Sequence, residues 1–218
     1  LLKANGVAVH KGVGEVAGVG TVKVHGDKEE VLTADVIIVA SGSVPVKLNF
    51  PGADLPGVID STGALSLPKP PASMVIVGGG VIGIEIAALY AALDCKVTVV
   101  ELLPEILPGI DSEIAATLKQ TLVKEGVVFM NGAKLDSIIQ TAGGLAAKVL
   151  VGPEAKEIVA ETVLVAVGRR AYTDGAGLEA AGVKLERGKV VVDANYKTNV
   201  PGIYAIGDCN GLTMLAHA

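Results

Sequence analysis

Short apolar runs recur along the chain at residues 36–40 (VIIVA), 74–77 (MVIV), 97–100 (VTVV), 127–130 (VVFM), 162–167 (TVLVAV) and 203–206 (IYAI). Each is too short and too β-branched for a helix, and a run with so little polar alternation suits a strand buried on both faces of a parallel sheet. Other stretches have helical spacing. Ile82, Ile86, Leu89, Tyr90 and Leu93 fall on one face of a predicted helix. Further on, Asp111 is a good N-cap, Glu113 lies in the first turn, and Ile114, Leu118 and Leu122 share a face until Gly126 stops the helix. Residues 7–13 and 19–24 alternate apolar with small or polar positions between glycines, which predicts antiparallel strands. A second meander is expected over 135–139, 145–151 and 157–159, with its first turn at Gly143-Gly144. Residues 62–67 read as a short helix, 68–71 (PKPP) as a stiff linker and a boundary, and 174–188 as a polar loop.

Composition narrows the class. Of 218 residues half are hydrophobic, yet only 3 % are aromatic and none is Trp. The core must therefore be built from Val, Ile, Leu and Ala, as in parallel α/β sheets. A net charge of −5 without a basic patch argues against a nucleic-acid partner. Cys95 and Cys209 are far apart and make no metal-ligand spacing, so they read as buried structural thiols. Residues 74–93 carry only Glu85 as a charge, but three consecutive glycines and that mid-span carboxylate argue against a membrane span. No signal peptide is visible. Leu1 in place of Met and the apolar ending MLAHA lead to the expectation of an internal fragment.

The chemistry concentrates in residues 74–101, where strand, glycine turn, helix and strand follow one another and close on Glu101. Gly78, Gly80 and Gly83 satisfy G-x-G-x-x-G. The first glycine permits a sharp turn out of the strand, the second lets a pyrophosphate approach the backbone, and the third lets the helix lie close to the strand. The helix N-terminus then offers unpaired N–H groups and a partial positive charge to phosphates. Glu101 lies about 20 residues beyond the loop, where a carboxylate accepts the two ribose hydroxyls of an adenosine. A 2′-phosphate would be repelled there, and residues 101–111 contain no Lys or Arg, which favours NAD over NADP.

The runs at 36–40, 162–167 and 203–206 each end close to a glycine at the carboxyl edge, beyond which open α/β sheets bind ligands. Asp208 follows the last of them. It can accept sugar or polyol hydroxyls, or it can simply start a turn; its spacing alone does not choose.

The phrases IIVASGSVP, VIVGGGVIGIE, VAVGRRAYTDGAGLE, VPGIYAIGDC and MLAHA, in this order, resemble the pyridine nucleotide–disulfide oxidoreductases, and among them the dihydrolipoamide dehydrogenases. The resemblance implies two dinucleotide domains of Rossmann-like α/β fold, one for FAD and one for NAD inserted in it. It divides the chain into 1–45 (partial FAD domain), 46–170 (NAD domain, with a parallel sheet, helices and a β-meander) and 171–218 (partial FAD and central domain). In such enzymes FAD accepts electrons from a dithiol through a redox-active disulfide and passes hydride to NAD. Carried onto this chain, Gly78, Gly79, Gly80, Val81, Ile82 and Gly83 would hold the NAD pyrophosphate and Glu101 its ribose. Gly168 would lie against NAD, and Glu85 beside the flavin and nicotinamide. Gly14, Ser41, Gly42 and Asp208 would contact FAD, and Ala216 would offer its N–H to the flavin ring.

Parts of that pattern are missing. The chain contains no first G-x-G-x-x-G for FAD, no C-x-x-x-x-C, no lysine partner recognisable for Glu85 and no C-terminal His–Glu pair. Ala171 stands where Pro usually follows G-R-R, and His217 is the MLAH histidine, to which no acid–base role falls. His10 and His25 read as surface residues of the meander. No catalytic residue and no metal ligand is expected in this chain, which by itself should be inactive. The implied parent is a homodimer serving a 2-oxoacid dehydrogenase complex, in a mitochondrial matrix or bacterial cytoplasm. The alternatives are another flavoprotein disulfide reductase, of mercuric or glutathione reductase type, and a non-catalytic NAD-binding module.

Overall fold

The computed structural model describes residues 1–216; His217 and Ala218 lie outside the described residues. The chain forms two compact units, one of Leu1–Val44 with Arg169–Ala218, the other of Pro45–Gly168. The first unit opens with the antiparallel meander β1 (Val13–Gly18), β2 (Thr21–His25) and β3 (Glu29–Thr33), followed by β4 (Ile37–Val39) and β5 (Ser43–Pro45). The second holds β6 (Val58–Ile59), α1 (Ser61–Ala64), β7 (Ser73–Val77), α2 (Val81–Ala92), β8 (Lys96–Glu101), α3 (Ser112–Lys124), β9 (Val128–Asn131), β10 (Ala133–Thr141), β11 (Gly144–Val151), β12 (Glu154–Ala160) and β13 (Thr162–Val165). The chain then returns to the first unit with β14 (Arg169–Ala171), β15 (Leu185–Glu186), β16 (Lys189–Val190) and β17 (Ile203–Ala205).

In the second unit the apolar runs assemble into a five-stranded parallel sheet of order β6-β13-β7-β8-β9. Alternation along each strand decides which layer a side chain enters. Met74, Ile76, Val97, Val99 and Leu164 pack with Ile84, Ile86, Ala87, Tyr90, Ala115 and Leu122 from the helices. Their neighbours Val75, Val77, Val100 and Val163 pack on the other face against Ile138, Leu145, Ala147 and Val149 of the β10-β11-β12 meander. The central strands β7, β8 and β13 are mostly apolar because both of their faces are covered, and each fully buried aliphatic side chain contributes about 1.5–3 kcal/mol. The run 68–71 lies between α1 and β7, inside this unit.

The helices correct two face assignments. In α2 the buried positions are Gly83, Ile84, Ile86, Ala87 and Tyr90, while Leu89 is 47 % and Leu93 48 % exposed. In α3 Ala115 and Leu122 are buried, but Ile114 is 64 % and Leu118 38 % exposed. The α3 cap behaves as expected: Asp111 Oδ1 accepts from the N–H of Glu113 at 3.0 Å and of Ile114 at 3.3 Å. Gly126 takes the left-handed φ of +94° just past the helix end.

In the first unit, residues 7–12 form no strand, and the first strand begins at Val13. β3 is an additional, mostly exposed strand. Residues 174–188 are less polar than their sequence suggests: Leu178 and Val183 are buried with Val16, Ile37, Val39, Ile203 and Ala205. β4 and β17 pair in parallel as a two-stranded sheet. Cys95 and Cys209 are free and buried, as read from their spacing. No helix among the described residues is long and apolar enough to cross a membrane.

The meander carries a titratable cluster. His25 Nε2 lies 2.7 Å from Glu15 Oε2 and its Nδ1 3.4 Å from Glu29 Oε1. The hydrogen bond with Glu15, then that with Glu29, raises the imidazole pKa above its ordinary 6.5. A raised folded-state pKa stabilises fully below the unfolded value, and the stabilisation is lost as pH rises through the folded value. His25→Gln is therefore expected to cost the meander stability below pH 6.5 and progressively less above it. An NMR titration of His25 with a midpoint at or below 6.5 would contradict this.

Candidate functional site

The sheet order places the switch point between β7 and β13: β7, β8 and β9 run one way from it, and β13 and β6 lie on the other side. Open α/β sheets bind ligands beyond the carboxyl ends of strands at such a point. The glycine loop leaves β7 there, and residues 166–168 leave β13 beside it.

Each glycine of the loop has a distinct steric reason. Gly78 has a φ of +112°, and a Cβ there would run into the Ala166 carbonyl. A Cβ on Gly83 would run into the Gly78 carbonyl, so its absence lets α2 sit against the loop. Gly79 is buried, and a Cβ there would press on Glu101 and Ile106 at 3.1 Å. Gly80 differs: its φ is −75°, and a Cβ would meet nothing within 4 Å. The loop thus leaves open space at Gly80, next to a helix that lacks any side-chain N-cap. The N–H groups of that first turn remain available to an anion.

Glu101 ends β8 and is buried, at 7 % exposure. Its Oε2 accepts from Gly79 N–H at 2.5 Å and its Oε1 from Leu103 N–H at 2.7 Å. One carboxylate thereby joins the glycine loop to the β8–α3 connection. A carboxylate has about four acceptor positions, so it retains capacity for a diol. That connection is itself anchored: Leu107 N–H donates to Gly79 O at 2.8 Å and Gly132 N–H to Leu103 O at 2.9 Å. Gly168, with φ +115°, is exposed after β13, and its carbonyl accepts from Val46 N–H at 3.0 Å. Val81 and Glu85 are exposed on α2, and Ile82 is half-buried.

The other expected residues lie in the first unit. Ser41-Gly42 follow β4 and Asp208 follows β17, so the two parallel strands bring them to one edge. Ser41 Oγ donates to Tyr172 O at 2.5 Å. Gly42 takes φ +75°. Asp208 Oδ2 accepts from Ser43 Oγ at 2.5 Å; Ser43 Oγ accepts from Arg169 Nε at 2.7 Å, and Ser43 O accepts from Arg169 Nη2 at 2.6 Å. Ser43 and Arg169 thus orient Asp208, a role that sequence reasoning missed. Both stand in quoted phrases, SGS and GRR, but the spacing between them carries no signal. Gly14 is exposed on the edge strand β1, and Ala216 is exposed near the chain end.

Neither cysteine suits exchange with a dithiol. Burial, with a smaller contribution from Glu161, pushes the Cys95 thiol up to about 11, so almost no thiolate exists at neutral pH. Cys209 is fully buried, with Sγ against the carbonyls of Ile206 and Val39 at 3.2 and 3.5 Å.

A parallel sheet with a glycine turn at its switch point and a carboxylate at the end of the neighbouring strand defines an α/β dinucleotide-binding class. The chain belongs to the pyridine nucleotide-disulphide oxidoreductase family, whose model matches residues 1–218. It is 41 % identical over 221 residues to dihydrolipoyl dehydrogenase 3 of Pseudomonas putida, covering 100 % of this chain and 47 % of that protein. It is also 41 % identical over 220 residues to the dihydrolipoyl dehydrogenase of Geobacillus stearothermophilus, covering 100 % of this chain and 46 % of that one. Among solved structures it resembles the HOCl-induced flavoprotein disulfide reductase RclA from Escherichia coli, with 30 % identity and a TM-score of 0.88, covering 97 % of this chain and 48 % of that one. The chain spans about half the length of the curated relatives it matches.

Proposed function

We propose that this chain supplies the NAD site of a flavoprotein that oxidises dihydrolipoamide and passes the electrons through FAD to NAD. The observation that carries the reading is the pairing of the open Gly80 position with Glu101, whose carboxylate is fixed by Gly79 and Leu103. The residues fit the nucleotide. Gly80 leaves room for the pyrophosphate, the first-turn N–H groups of α2 oppose its charge, and Glu101 accepts from the ribose diol. On the flavin side Asp208, oriented by Ser43, suits a polyol, and the Ser41-Gly42 turn and Gly14 offer backbone. The chemistry supplied by the bound groups is hydride transfer from reduced flavin to nicotinamide. This chain's part is to bind, orient and select. Thiol–disulfide exchange with the substrate needs an accessible cysteine pair, a role for which buried Cys95 and Cys209 are unsuited. The parent assembly in this reading is a homodimer attached to a 2-oxoacid dehydrogenase complex.

Calorimetric titration of the chain tests the reading: NAD is expected to bind more tightly than NADP. A charge-assisted hydrogen bond is worth about 1.5–3 kcal/mol. Glu101→Ala is accordingly expected to weaken NAD about tenfold or more and to narrow the gap to NADP. Equal affinity for both in the unmutated chain would reject the assignment. A second reading, a disulfide reductase acting on another substrate, is favoured by the likeness to RclA. Activity of the full-length parent protein with dihydrolipoamide, against activity only with other disulfides or oxidants, separates the two.

A further inference from the structure

The structure assigns to Asn131 the role of a positioning residue for cofactor selection, acting through the backbone of the β8–α3 connection on Glu101. The inference rests on the NAD reading above and deepens it. Asn131 ends β9 and is the parallel-strand partner of Glu101. Its Nδ2 donates to Pro104 O at 2.7 Å, while Lys119 Nζ donates to its Oδ1 at 3.2 Å. Only this amide orientation satisfies both contacts, because Lys offers donors alone and a carbonyl accepts alone. Lys119 is held in turn over the Phe129 ring, 5.4 Å from its centroid. The next residue, Gly132, takes φ +64° and directs its N–H to Leu103 O at 2.9 Å. The end of β9 therefore grips two successive carbonyls, those of Leu103 and Pro104.

The consequence falls on Glu101. Leu103 N–H is one of the two donors that fix its carboxylate. If residues 103 and 104 loosen, Oε1 loses its donor, and the carboxylate is free to rotate about the bond still held by Gly79. A rotated carboxylate presents one oxygen to the ribose diol instead of two, and it no longer stands where a 2′-phosphate must lie. NAD then loses affinity while NADP loses an obstacle. Leu102, Leu103, Pro104 and Glu105 are all exposed, and the next anchors along the connection are buried Ile106 and Leu107, beyond the residues that Asn131 and Gly132 hold.

The test compares the unmutated chain with Asn131→Ala and Lys119→Met. Asn131→Ala removes the donor to Pro104, whereas Lys119→Met leaves it in place. Loss of one neutral hydrogen bond predicts about three- to tenfold weaker NAD binding in Asn131→Ala, with a correspondingly smaller NAD-to-NADP ratio. Lys119→Met should retain most of both. Amide hydrogen exchange at Leu103, measured without nucleotide, should accelerate in Asn131→Ala while exchange in β7 and β8 stays unchanged. A purely structural asparagine would lower the urea midpoint but leave the ratio alone, and that result overturns the inference. So does unchanged exchange at Leu103. Failure of the unmutated chain to bind NAD overturns the cofactor reading and this inference with it. Binding by the unmutated chain with an unaltered ratio in Asn131→Ala overturns this inference only.

Discussion

Gly80→Val is expected to abolish NAD binding while leaving the fold in place. The two halves of this expectation come from different observations. A Cβ at Gly80 meets no atom within 4 Å, and the backbone there, φ −75° and ψ −177°, is extended and open to any residue. Valine therefore costs the protein little beyond a poorer N-cap, about 1 kcal/mol. Its two methyl groups instead occupy the space that the loop leaves open in front of α2, so the penalty appears only when a pyrophosphate must enter. Circular dichroism and the urea midpoint should be close to those of the unmutated chain, and calorimetry should show no NAD binding. An unchanged NAD affinity with an unchanged fold would make the loop structural and remove it from the site.

Legibility in the sequence followed the range of the interactions. The glycine loop and Glu101 are readable because each conformational demand lies within one strand–turn–helix unit, and residue type answers it directly. The Asp111 cap is readable for the same reason. The face of α2 was not. Val81–Ala92 is apolar on nearly every position, so periodicity cannot tell Leu89, which is exposed, from Ile84 and Ala87, which are buried. What decides is close approach: the small Gly83 and Ala87 let the helix lie against β7, and the larger Leu89 and Leu93 are turned outward. Residues 7–12 alternate as a strand should but find no partner, whereas VGEVAG, with two glycines, becomes β1 because β2 pairs with it. The polar β3 is a strand by pairing alone. The contacts that orient the candidate acids are equally invisible in a linear reading. Ser43 and Asp208 are 165 positions apart and Asn131 and Pro104 27 apart, and it is the parallel pairing of the strands beside them, β4 with β17 and β8 with β9, that brings them together.

The largest effect on stability is expected from the third glycine of the loop. In most helices replacing an interior glycine by alanine is favourable, by about 1 kcal/mol, because alanine restricts the unfolded chain. Gly83 should behave in the opposite way. It is buried in α2, and a Cβ built on it falls on the carbonyl of Gly78, with the side chain of Ile76 3.4 Å away. The obstacle is main chain, which cannot rotate aside as a side chain can. Gly78 is fixed as well: its N–H donates to Val100 O at 2.8 Å, and its own Cβ position is blocked by the Ala166 carbonyl. Either α2 moves off β7, opening the layer of Ile84, Ala87 and Tyr90, or the loop shifts and breaks its bond to β8. Overpacking of this kind costs about 3 kcal/mol. Gly83→Ala is therefore expected to lower the urea midpoint markedly and to weaken NAD binding together with it, whereas Gly80→Val separates the two effects. A Gly83→Ala chain that unfolds at the same urea concentration as the unmutated one would show that α2 and the glycine loop do not need this contact.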